Sequence, residues 1–226
     1  MSSTNINQQY YLSQIGITTW QERAQGNTKS QQQAEQANTW KDLIKQVTTC
    51  QRCALSQTRK NAVFGVGNQQ ADLVIVGEAP GAEEDRRGEP FVGRAGQLLN
   101  EMLLAIGLAR ETVFIANVLK CRPPNNRDPS KQEVATCTPY LEQQLTMLQP
   151  KAILAVGRVA AHHLLGIEDA MASMRGKQLL FAPTQTPLFV TYHPAYLLRK
   201  PSDKRKAYLD LLKIKSFLVS EDLHSL

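Results

Sequence analysis

The sequence predicts an α/β fold: a parallel sheet covered on both faces by helices. Apolar runs suited to buried strands recur at residues 71–77, 112–120, 151–157 and from 186 onward. Helix-period segments alternate with them, the pattern that parallel pairing requires. Size agrees, since 226 residues with 42% hydrophobic content can bury one sizeable core and still leave a tail.

Residues 1–39 contain nine Gln and four Asn and cannot build a core, so they read as a flexible extension. Within it, residues 10–23 gather Tyr10, Tyr11, Leu12, Ile15, Ile17 and Trp20. Such an island is either a docking motif or a segment that packs back on its own domain.

The folded domain spans 40–226. "WKDLIKQV" forms a short helix that leads into Cys50-x2-Cys53. "ADLVIVG" (71–77) is the first strand, and "RAGQLLNEMLLAIG" (94–107) is an amphipathic helix with Leu98, Leu99, Met102, Leu103 and Ile106 on one face. "TVFIANVLK" (112–120) is the second strand. Helix 130–149 opens with the capping box Ser130-x-x-Glu133. "KAILAVG" (151–157) is the third strand and "RVAAHHLLG" the helix after it. "TPLFVTYHPAYLL" (186–198) begins as the fourth strand, and residues 202–220 close the chain as a helix.

Ligands of such sheets bind beyond the carboxyl ends of the strands. Three loops leave those ends, after Gly77, after Asn117 and at His193. The first, "VGEAPGAEEDRRGEPFVGRAG" (76–96), is studded with glycine yet carries five acids against three arginines, the wrong charge for phosphate. It has neither a GxGxxG fingerprint nor a Walker lysine. Phe91 is either an aromatic platform or core. Asn117 ends an apolar strand, where an unbonded amide is costly, so it ties down a loop or faces a ligand.

Cys50, Cys53, Cys121 and Cys137 are the four cysteines. Cys137 lies in helical register with Val134, Leu141, Leu145 and Leu148. Four thiolates suit tetrahedral zinc or an iron–sulfur cluster, and a disulfide framework does not fit a reducing compartment. The net charge of +6 lies wholly beyond residue 40 and suggests a polyanionic partner, nucleic acid first. No apolar run is long enough for a membrane span, and the first residues lack the basic start and apolar core of a signal peptide. The expectation is a cytoplasmic monomer without membrane contact.

The motifs "GEAPGAEEDRRGEPFVGRAGQLLN" (77–100), "NVLKCRPPNNRDPS" (117–130), the paired cysteines and "HPAYLLR" (193–199) together resemble the family 4, iron–sulfur class of uracil-DNA glycosylases over residues 40 to 220. The resemblance implies a three-layer α/β/α sandwich around a four-stranded parallel sheet. It also implies hydrolysis of the N-glycosidic bond of deoxyuridine in single- or double-stranded DNA, as the first step of base excision repair. By the same likeness Phe91 stacks on the flipped uracil, Asn117 reads its edge and His193 donates to O2. Glu84 crowds out a thymine methyl, Glu78 and Ala79 line the water side, Leu197 is a wedge and Arg199 contacts phosphate. The four cysteines would hold a 4Fe-4S cluster. A related branch traps its DNA through a histidine in an enlarged loop; "CRPPNNRDPSKQEVATC" has none, which implies turnover. A binding module that keeps the fold without catalysis is the competing class. Finally, "YLSQIGITTWQER" looks like the N-terminal segment of the psi subunit of bacterial DNA polymerase III, which implies a clamp-loader contact.

Overall fold

The computed structural model describes residues 39–224. The extension and its segment at 10–23 lie outside the described residues, apart from Thr39. Strands Leu73–Gly77 (β2), Phe114–Asn117 (β3), Ala152–Val156 (β4) and Thr186–Thr191 (β6) pair in parallel, in the order β3-β2-β4-β6. Two short strands that the sequence reading missed flank them antiparallel, Val66–Gly67 (β1) beside β3 and Leu179–Phe181 (β5) beside β6. Among the described residues the sheet is therefore mixed and six-stranded. Runs of two and three residues are too short to carry a readable alternation.

Alternation along each strand divides the core into two layers. Val74, Val76, Ala116, Ile153, Ala155 and Val190 face one side. There they meet helices Trp40–Thr48 (α1), Leu55–Thr58 (α2), Lys131–Leu148 (α5), Arg158–Leu165 (α6) and Met171–Met174 (α7). Leu73, Ile75, Ile115, Leu154 and Phe189 face the other side, against Arg94–Leu104 (α4), Pro194–Arg199 (α8) and Lys204–His224 (α9). This is the α/β sandwich that the alternation of elements implied. Both faces are covered, so β2, β3 and β4 are buried along their whole length.

The local chemistry explains the ends of the elements. Ser130 caps α5, accepting from the Glu133 amide while the Glu133 side chain accepts from the Ser130 amide. The acid-rich part of loop 76–96 contains a helix, Ala82–Arg87 (α3), with Glu83, Glu84 and Asp85 in its first turn and Gly88 left-handed at its end. Those acids suit a helix N-terminus, and without an apolar stripe the helix was invisible in the sequence. The strand expected over 112–120 stops at Asn117. The chain beyond it stays bound to the end of β2 through Val118 N–H to Gly77 O (2.9 Å) and Leu119 N–H to Glu78 O (3.0 Å). Among the described residues, no helix is long and apolar enough to cross a membrane.

Candidate active site

The chain runs from β2 to β3 on one side and then crosses to β4 on the other, which opens a crevice at the carboxyl ends of the strands. A cavity of about 480 Å³ lies there. Glu78, Ala79, Glu84, Phe91, Asn117, His193 and Arg199 all line it, although they are scattered over more than a hundred residues of sequence.

Asn117 ends β3 in register with Gly77. Its Oδ1 is buried and, among the described residues, has no hydrogen-bond partner. A Cβ on Gly77 would overlap Asn117 Oδ1 and come within 2.7 Å of the Phe91 ring, so the bare backbone at this strand end makes the room both need. Phe91 is buried, and its ring centroid lies 5.7 Å from that of His193 at a 33° tilt. Glu84 accepts the Val92 and Gly93 amides on one oxygen, each at 3.0 Å. The residue expected to guard the base edge thus also holds the loop that carries Phe91.

His193 follows β6 and caps α8, with Nδ1 accepting the Ala195 amide at 3.1 Å. In the neutral ring the proton is therefore on Nε2. Burial, aided by the charge of Arg199 and opposed by Glu84, pushes its pKa down to about 4. The imidazole is neutral at physiological pH. The Glu78 carboxyl is raised by burial and by nearby Asp128, with Arg158 acting in the opposite sense.

Leu197, expected as a wedge, lies on the core side of its helix. Its side chain is fully buried in the layer with Leu99 and Leu103. Its amide bonds to His193 O at 3.2 Å, so it sits in the first turn of α8 on the core side, and neighbouring Leu198 is the exposed leucine.

The opposite wall comes from Pro123, Asn126, Arg127 and Asp128, to which the sequence reading gave no roles. The signal was present in "RPPNNRDP", a cluster of turn residues directly after a strand end. Asn125 and Asn126 both adopt left-handed backbone, at φ 54° and 53°. Arg127 is held by both oxygens of Glu133, at 2.8 and 2.6 Å.

The four cysteines line a second, small chamber between α1, α2 and α5. Arg59 donates to Cys121 Sγ at 2.8 Å and to the Cys50 carbonyl at 2.8 Å, and the Lys120 amide lies 3.3 Å from Cys137 Sγ. N–H groups aimed at sulfur, with cationic side chains behind them, suit a thiolate-ligated metal group. Among the described residues, no three ligand-type side chains already stand together as a metal site. Burial raises the Cys121 thiol and pushes Cys137 up to about 12. Lys120 links the two centres, since its buried Nζ donates to Asn117 O (2.9 Å) and Gln144 Oε1 (2.5 Å).

A larger open groove, about 850 Å³, runs between α7, β6 and α9. Its cations are engaged within the fold: Arg175 with Asp210 at 2.8 Å, Lys206 with Asp203 at 2.8 Å, and Lys213 with Gly176 O at 2.6 Å. The smaller cavity, with its unpartnered acceptor, is the better ligand site.

Residues 64–213 match the family described as the uracil DNA glycosylase superfamily. A type-4 uracil-DNA glycosylase of Archaeoglobus fulgidus is 44% identical over 76% of this chain and 90% of its own length. The type-4 enzyme of Pyrobaculum aerophilum is 47% identical, covering 75% of this chain and 88% of that protein. That of Thermotoga maritima is 41% identical, covering 79% and 94%.

Proposed function

This chain belongs to the uracil DNA glycosylase superfamily, and we propose that the cavity at its strand ends receives a uracil swung out of a DNA strand. Its activity is excision of uracil from DNA, as a hydrolase of the N-glycosidic bond. The observation that carries the pocket reading is the buried, unpartnered Oδ1 of Asn117. A buried acceptor without a donor costs about 1–3 kcal/mol, which a bound ligand can recover. Uracil supplies the missing donor at N3–H, while the amide nitrogen of Asn117 donates to O4. Cytosine presents the reverse pattern.

The Phe91 ring stacks on the base. His193 donates from Nε2 to O2. As the bond from N1 to C1′ breaks, its electron pair goes to uracil, and the charge spreading to O2 meets a fixed donor in a site of low dielectric. Glu78, with its raised pKa, takes a proton from the water that attacks C1′. Arg199 contacts a flanking phosphate, and exposed Leu198 replaces Leu197 as the apolar residue that fills the vacated stack. Cys50, Cys53, Cys121 and Cys137 would hold a 4Fe-4S cluster. Held there, it would tie together the chain segments around the second strand end.

Residues 10–23, through their likeness to the psi subunit, would tether the enzyme to a clamp loader. Capture of clamp loader should be lost when residues 1–30 are deleted, and unchanged capture rejects the tether.

The test of the pocket is uracil release from oligonucleotides carrying one deoxyuridine, compared with Asn117→Leu. The variant should lose at least about 100-fold in kcat/KM while melting no lower than the parent, because the orphan acceptor is gone. Full activity in Asn117→Leu would refute the pocket assignment.

A further inference from the structure

Phe91 has a left-handed backbone, φ 52°, which a bulky residue rarely adopts without external support. Its neighbours Pro90 and Val92 do nothing locally to favour that conformation. The support comes from two distant side chains that grip the segment from opposite sides. Glu84, on α3, accepts the two amides that follow Phe91. Arg110, in the turn between α4 and β3, donates Nη2 to Pro90 O at 2.5 Å and Nη1 to Phe91 O at 3.1 Å. A weaker contact, 3.4 Å to Asn100 Oδ1, fixes the same guanidinium to α4. At Gly96 a Cβ would run into the Phe91 carbonyl, so α4 closes directly over the strained peptide.

Arg110 does not line the cavity. It reaches the segment only through the two carbonyls, and its guanidinium is half-buried among Glu84, Glu89 and Glu111. We propose that Arg110 is a positioning residue which, opposite Glu84, locks Phe91 in the left-handed conformation that presents its ring to the base. The inference rests on the reading of Phe91 as the stacking face. Without Arg110 the strain has a route of release, because the peptide can relax toward an ordinary conformation and carry the ring out of the cavity.

The experiment is a double-mutant cycle on the full chain, using Arg110→Met, Phe91→Ala and the pair, read as single-turnover uracil release from a single-deoxyuridine oligonucleotide. Arg110→Met should slow release about tenfold when Phe91 is present and less than about twofold when position 91 is alanine. That is a coupling of about 1.0–1.4 kcal/mol. Arg110→Lys, which can keep one of the two carbonyl bonds, should lie between parent and Arg110→Met, and it carries the test if the methionine variant does not fold. Equal losses in both position-91 backgrounds, or no loss at all, would overturn the proposal while leaving the pocket reading intact. Unimpaired release by Phe91→Ala would instead remove the stacking reading and the proposal with it.

Discussion

His193 and Glu78 face one cavity and are perturbed in opposite senses, so their contributions to stability oppose each other as pH falls. The folded pKa of His193 is depressed to about 4, against an ordinary value near 6.5. Between those values the unfolded chain binds a proton that the folded chain refuses. Stability is therefore lost as pH falls through this window, by roughly 3 kcal/mol for the full shift. The raised carboxyl of Glu78 acts the other way, and its stabilising proton is lost as pH rises through its folded pKa. Urea melts of parent and His193→Gln at pH 7 and pH 4 isolate the histidine. The parent should lose about 3 kcal/mol more than the variant, and uracil release should have no inflection near pH 6.5. Parallel losses would mean that His193 is not buried neutral. At this scale the sequence was readable wherever a polar residue interrupts an apolar run, as Asn117 and His193 do. Asp128 and Asn126 interrupt nothing, since they lie in a turn among other turn residues. Leu197 and Leu198 differ by one position, and which of them turns inward depends on where α8 begins, a boundary that sequence periodicity does not fix.

Helix α5 serves the cavity from a distance. Its capping residue Glu133 bonds Arg127 with both oxygens and accepts the Ser130 amide at 2.8 Å, so one carboxylate starts the helix and anchors the far wall of the pocket. The Arg127 guanidinium holds its pKa down to about 2, and it stays ionised throughout the working range. Glu133→Ala should cost about 1 kcal/mol as a lost cap and lower Tm by a few degrees. It should also raise KM severalfold with a smaller change in kcat, because the wall that carries Asp128 loosens while Asn117 and His193 keep their places on the strand ends. Thermal melts with steady-state kinetics check both parts, and a fall in kcat alone would separate the cap from the pocket. The capping box was legible as Ser130-x-x-Glu133; its second partner was not, since an arginine three residues upstream of the cap carries no periodic signal. Helix α3 escaped notice for a related reason. Its residues, AEEDRR, place charge on every face and leave no stripe to detect.

For the molecule as a whole, the cysteine chamber joins segments far apart in sequence: the turn after α1, the residues just beyond β3, and α5. A metal group bound there would close those loops and stabilise the native state by mass action. Purified protein should be brown and contain about four irons and four sulfides per chain, and zinc in their place would reject the cluster. Cys137→Ser should bleach the colour and lower Tm by several degrees. The alternation of strands and helices was legible because it is repeated from the first parallel strand to the last helix. The meeting of Cys50 and Cys53 with Cys121 and Cys137 was not readable from spacing, because it depends on how α1 packs against α5.

The cavity takes its walls from the ends of three strands and from the loop at 123–128, and its last contributor is Arg199. During synthesis the amino-terminal parts appear first, and Phe91 and Asn117, the proposed stacking ring and reading amide, exist long before His193. On the reading proposed above, a growing chain gains its chemistry toward DNA only when nearly all of the domain has been made.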